Sequence, residues 1–376
     1  MLLQTLRRSL EFAGLGACLV SLALPVAAWA DETEPNGPGS VYVMTNQATD
    51  NTILVFHRNP DGSLNKVQEV STQGKGSGGS GDPLGSQGAL TLNREGRILL
   101  AVDPGSNEIS SFTVTEARLS FASKAASGGT KPVSVAVHGD VAYVLNAGGT
   151  PNVTAFKIGV SAQLSVIANS TMPLPGGANS APAQVGISPD GEVLVVTEKN
   201  TNQIDLFPID DGAMAAVSSV PSNGMTPFAF RFGRDRTLIV TEAAASTISS
   251  YKIHNAENHP ALQTITKSLA DSGAAACWIV IDRSRRLAFV VNSNTATISS
   301  LSVSPAGALQ LVAAAAVSTG SGTAPIDAAL TGNGAFLYVL STTQGTLTGF
   351  RVKNGKSTQV AFVAGLPLSI QGIAAR

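Results

Sequence analysis

Ile187-Ser188-Pro189-Asp190-Gly191-Glu192-Val193-Leu194-Val195-Val196-Thr197-Glu198, followed by Asn202-Gln203-Ile204-Asp205-Leu206-Phe207, is the stretch that decides the architecture. Ser188-Pro189-Asp190-Gly191 carries tight-hairpin chemistry, with Asp-Gly supplying the positive-φ corner. The segments around it are short, rich in β-branched residues and bounded by turn formers, which is the pattern of strands. Leu194 to Glu198 therefore reads as a strand ending in a polar residue. Another strand precedes it from Pro182, and a third follows from about Ile204.

The same unit recurs along the chain. Val41 to Asn46, Leu99 to Asp103, Ala142 to Asn146, Leu238 to Glu242, Ala288 to Asn292 and Leu337 to Ser341 are its other polar-ended strands, making seven. The strands that follow them begin near Ile53, Ile109, Val153, Ile204, Ile248, Ile298 and Leu347, spaced by 56, 44, 51, 44, 50 and 49 residues. That is the period of a four-stranded propeller blade, and no sustained 3.6-residue apolar period supports a helical solenoid. The first copy lacks a preceding strand, while Ser369 to Ala375 resembles Gln87-Gly88-Ala89-Leu90 and is spare. The expected fold is all-β: a seven-bladed β-propeller of four-stranded blades, closed by pairing of the N- and C-terminal strands so that no sheet edge stays open.

The preceding strands, from Gln87, Pro132, Pro182, Pro227, Ala276 and Pro325, alternate bulky with small residues, as innermost strands around a crowded channel must. Gln184, Arg231, Trp278 and Asp327 break the small face. A charged group there needs a partner or water. Arg231 reads either as a structural ion or as an anion holder beside Glu242, and Trp278 as a ligand platform or a channel plug. The seven strand ends form a polar ring of Asn46, Asp103, Asn146, Glu198, Glu242, Asn292 and Ser341. Such a ring either grips a ligand, with carboxylates shifting one another's pKa, or bonds its own turns.

Of 376 residues only 13% are charged, and 24 Lys+Arg balance 25 Asp+Glu. No one-signed field is available for nucleic acid. Residues 1–30 read as a signal peptide, with Arg7 and Arg8, an apolar run from Phe12 to Ala28, and Ala28-Trp29-Ala30 before the cut. Residues 31–39 then form a linker and 40–376 the propeller. The expected location is secreted or periplasmic, with no membrane span after signal removal. Cleavage removes Cys18 and leaves Cys277 unpaired. His57, His138, His254 and His259 have no ligand spacing, so no metal site and no cofactor are implied. Gly74-Lys75-Gly76-Ser77-Gly78-Gly79-Ser80-Gly81 reads as a flexible linker.

Ile187-Ser188-Pro189-Asp190-Gly191, Val195-Val196-Thr197-Glu198 and the Asn202/Ile204/Leu206-Phe207 pattern together resemble the seven-bladed lactonase propellers, the family of propeller-type 6-phosphogluconolactonases and carboxymuconate cyclases. The resemblance runs from about Ser40 to Ala375. It implies lactone chemistry at the channel mouth through a His, Arg and Glu set. Glu242, in Ile239-Val240-Thr241-Glu242, fits the family glutamate. Thr226-Pro227-Phe228-Ala229 stands where the family shows Gly-Pro-Arg-His, the fourth-blade histidine falls near Ala183, and a sixth-blade arginine falls near Asn292-Ser293. Arg231 is the available substitute.

Two functional readings follow. One is an exported lactone hydrolase with Glu242 as acid/base and Arg231 as anion holder, taking a small lactone or sugar-derived ligand. The other is a non-catalytic propeller that binds a protein, polysaccharide or small ligand at the rim. A monomer is expected in either case.

Overall fold

The computed structural model describes residues 37–116, 118–256, 259–353 and 356–376; the expected signal peptide and most of the linker lie outside them. Seven separate antiparallel sheets follow one another along the chain. In blades two to seven the innermost strands are Leu90–Leu92, Thr130–His138, Pro182–Ile187, Pro227–Phe232, Ala276–Ile281 and Pro325–Leu330, each followed by its second strand through a tight hairpin. The outer strands of the third and fourth blades are broken into short pieces. The remaining helix is two three-residue 3₁₀ turns among the described residues.

The first blade is completed by the chain's far end. Gly39–Met44 pairs with Ile373–Ala375 in the register Val41 with Ala375, Tyr42 with Ala374 and Val43 with Ile373. Bonds between the Ser40 and Arg376 backbones, and from Met44 N to Gly372 O, extend the seam. Second and third strands are almost fully buried, since each blade packs both faces against its neighbours. No helix among the described residues is long and apolar enough to cross a membrane.

Two local readings are corrected. The strict alternation expected along innermost strands is interrupted by bulges near their starts in blades three to seven. In the seventh blade the inserted residue is Asp327, with φ at +44°. An extra residue re-aims the side chain it carries.

The glycine-rich segment is also no free linker. Gly76 N and Gly78 N donate to Gln47 O and Asn46 O, Gly105 N donates to Lys75 O, and Thr342 Oγ1 donates to Gly81 O. Its continuation, 82–87, enters the channel, so the second innermost strand begins at Leu90 rather than Gln87.

Candidate functional site

The polar ring at the ends of the second strands serves as a set of loop fasteners. Glu242 is fully buried; Oε1 accepts from Gly224 N at 2.8 Å and Ser222 Oγ at 3.1 Å, and Oε2 accepts from Thr247 Oγ1. Glu198 repeats this with Gly176 N at 3.0 Å and Thr201 Oγ1. A Cβ on Gly224 or Gly176 would fall 2.3 or 2.1 Å from the carboxylate, so only glycine lets the incoming loop approach.

Asp103 accepts from Asn51 Nδ2, Thr72 Oγ1 and Ser110 Oγ, and burial pushes it up to about 6 against those bonds. Asn46 exchanges two bonds with Ser77, Asn146 donates to Ser127 O and Asn152 Oδ1, and Asn292 donates to Ser299 Oγ. Each of these side chains binds its own blade or the adjoining loop, and all are buried.

The loop end of the channel is filled. Trp278, 1% exposed, donates Nε1–H to Ser86 O at 2.9 Å and meets Phe228 edge to face at 5.0 Å. Gln371 accepts from Leu84 N and donates to Asp82 Oδ1 and Ser86 O. Lys199 donates to Gly85 O and lies 5.2 Å from the Phe228 ring centre. Burial lowers the Lys199 ammonium and raises the Asp82 carboxyl from their usual values. Sequence reasoning missed Gln87, Gln371, Asp82 and Lys199; no local motif announces a partner hundreds of residues away. Cys277, at the bulge position equivalent to Asp327, has its thiol pushed up to about 12 by burial and is no nucleophile near neutral pH.

Beneath this plug lies a cavity of about 230 Å³ lined by innermost strands, including Gln87, Thr91, Gln184, Arg231, Phe232 and Asp327. It reaches Val137, Ile187 and Phe232, at the hairpin ends of their strands. Arg231 is enclosed by protein, yet solvent still reaches it through the cavity. One of its N–H groups donates to Phe230 O at 3.0 Å; no other protein bond of its guanidinium occurs among the described residues. Burial lowers it to about 10, opposed by Asp327, so it stays cationic at neutral pH.

Asp327, 3% exposed, accepts from Ala328 N at 2.9 Å. Burial raises it to about 7 despite Arg231 and two backbone donors. The two groups make no N–O contact within 4.0 Å. Gln184 holds the Arg231 strand in place, donating to Phe230 O and accepting from Phe230 N.

Arg231 and Asp327 thus share one cavity, whereas Glu242 does not belong to it. Pro227 pairs with Glu242 but Arg231 pairs with Ile239, three residues or about 10 Å along the strand. His57 is half-buried and the other three histidines are exposed.

The family description "Lactonase, 7-bladed beta-propeller" matches residues 37–164 and 137–264, well over half of the chain. The chain belongs to this lactonase propeller family. Solved structures of the same fold include a putative 6-phosphogluconolactonase of Bacteroides fragilis, at 17% identity, 90% of this chain, 98% of that one and a TM-score of 0.67. The periplasmic gluconolactonase of Pseudomonas aeruginosa gives 18%, 89%, 98% and 0.67. A Lactobacillus plantarum protein gives 17%, 90%, 99% and 0.71. No curated protein matches. Glu242, the residue expected to act as acid/base, has both carboxylate oxygens engaged, by Ser222, Gly224 and Thr247.

Proposed function

We propose that the chain hydrolyses a small lactone in the channel cavity, with Asp327 as general base and Arg231 holding the carbonyl oxygen. One observation carries the reading: a carboxyl pushed up to about 7 and a cationic guanidinium with unused donors face a common cavity without touching. In the step, ionised Asp327 takes a proton from water as its oxygen attacks the lactone carbonyl. The developing oxyanion is stabilised by Arg231. The ring C–O bond then breaks, the departing alkoxide takes the proton back from Asp327, and a hydroxy acid leaves. Family membership and the gluconolactonase neighbour support a sugar lactone as substrate. The Met1 to Ala30 segment supports action outside the cytoplasm after cleavage; N-terminal sequencing of the exported protein tests that.

The test of activity is a panel of sugar and aromatic lactones followed by acid release. Wild type should turn over with kcat/KM rising to a plateau through about pH 7, because the base must be ionised. Asp327→Asn should lose about 10²- to 10⁴-fold and Arg231→Met about 10²- to 10³-fold, with circular dichroism unchanged. Folded wild type inert on every lactone, or full turnover in Asp327→Asn, overturns the assignment and leaves a binding propeller.

A further inference from the structure

We propose that Glu198 and Asp205 share one proton as a latch on the fourth blade, which fastens the incoming loop of residues 174–181 and releases it when the proton leaves to solvent. Val193–Glu198 pairs with Gln203–Asp210 so that Asp205 stands opposite Val196 and Glu198 opposite Gln203. Val196 and Glu198 share a face of the sheet, so the two carboxyls are diagonal neighbours, roughly 7–8 Å apart at the backbone and within reach of long side chains. In five other blades the place of Asp205 is taken by a hydroxyl: Ser110, Thr154, Ser249, Ser299 and Thr348. Two of these meet the strand-end residue directly. Ser110 Oγ donates to Asp103 Oδ2 at 2.5 Å, and Asn292 Nδ2 donates to Ser299 Oγ at 2.9 Å. Asp205 can repeat the Ser110 donation to a carboxylate only with a proton of its own.

Both side chains are fully buried. Asp205 Oδ1 accepts from Ser219 Oγ at 2.5 Å, while Oδ2 is enclosed and receives no donor among the described residues. No cation offsets a second charge. Residues 158–189 and 213–230, which include the incoming loop and the outer strand, carry no charged or titratable side chain. From the third blade, Tyr143 donates to Gly212 O and Lys157 pairs with Asp140; from the fifth, Arg236 pairs with Asp190 and Glu192, and Glu242 serves its own loop. Burial, opposed by the Ser219 bond, and then the charge of Glu198 push Asp205 up to about 8. Loss of the proton leaves two buried like charges, and the relief available is to admit water by giving up the bond from Gly176 N to Glu198. Lys199, next in sequence, donates from its backbone to Ala181 O and from its ammonium to Gly85 O, so the released loop is joined to the plug.

The test is amide hydrogen exchange of the full-length mature protein from pH 6 to 10, corrected for intrinsic rates; it needs no substrate and so stands apart from the lactonase reading. In wild type, protection across residues 172–181 should fall about tenfold per pH unit above about 8, the slope of one proton, and residues 82–87 should follow. The fifth-blade loop around Gly224, whose Glu242 is diagonal to Ser249, should keep its protection throughout. Asp205→Asn offers an amide N–H in place of the carboxyl proton and cannot ionise, so it should abolish the fall. Asp205→Ser, which installs the hydroxyl of the other blades, should do the same and serves where the asparagine variant fails to fold. Wild-type residues 172–181 that track those around Gly224, or a fall that persists in Asp205→Asn, overturn the proposal. Suppression of the wild-type fall by millimolar calcium chloride overturns it too, because a cation would then be the natural occupant.

Discussion

Gln87 reaches across the channel from the second blade to the sixth, where its Nε2 donates to Ile279 O and its Oε1 accepts from Ile279 N, both at 3.1 Å. The amide copies the bond pair that a neighbouring strand would make. Its backbone N–H meanwhile donates to Ala183 O of the fourth blade. One residue therefore ties three blades and forms one wall of the cavity.

Gln87→Met keeps the volume and removes both side-chain bonds. Two buried backbone groups then lose partners, at about 1–3 kcal/mol each. The expected loss of unfolding free energy is about 2–6 kcal/mol, read as a lower urea midpoint at unchanged slope. A midpoint within error of wild type would mean that water replaces the amide and that the plug is not structural.

Glu242→Gln should act on stability and spare turnover. The amide can still accept at Oε1, but its NH₂ cannot accept from Thr247, which points to a cost of about 1–2 kcal/mol. With Asp327 as the base, kcat should stay within about threefold of wild type. Lost turnover in a folded variant would return the acid/base role to Glu242.

The blade count and the closing strand were legible because both are written locally: the polar-ended strand recurs at blade period, and Ser369 to Ala375 repeats the pattern around Gln87. Arg231 and Asp327 were legible as charges on a face of small residues. The role of the ring was not, because Glu242 is engaged by Gly224 and Ser222, which lie in a loop with no strand pattern to place it. The plug was hidden for a related reason. Gly74 to Gly81 has the composition of a linker, and only the folded ring supplies Thr342 to hold Gly81 and Gln371 and Trp278 to hold the residues that follow. Bulges, too, leave no mark in an alternation pattern until the partner strand is known.

Ending the chain at Leu368 should open the ring. The deletion removes Ile370 and Ile373, both buried, together with the Gln371 bonds to the plug. Two isoleucines alone account for about 3–6 kcal/mol, a large share of the stability of an ordinary domain. It also bares the edge of Gly39–Met44, an invitation to intermolecular pairing. Light scattering during a thermal ramp should show aggregation well below the melting temperature of the full chain. A truncated protein that melts unchanged would show the seam to be dispensable.

Stability should fall as pH rises from 4 to 8, and Asp327 should carry part of the slope. Burial lifts its pKa to about 7, whereas in the unfolded chain an aspartate titrates near ~3.9. Between those values the folded state holds a proton that the unfolded state has released, so raising the pH favours unfolding. The contribution is complete below the unfolded value, and is lost as pH climbs through the folded one. Three pKa units at about 1.4 kcal/mol each set a ceiling of about 4 kcal/mol. Asp103, raised to about 6, adds a smaller slope of the same sign. Asparagine at 327 retains an oxygen for Ala328 N and cannot ionise, so Asp327→Asn should flatten the pH dependence and gain on wild type above pH 7. Parallel pH profiles for the two proteins would mean that the carboxyl titrates normally, and would remove the base from the lactonase mechanism as well.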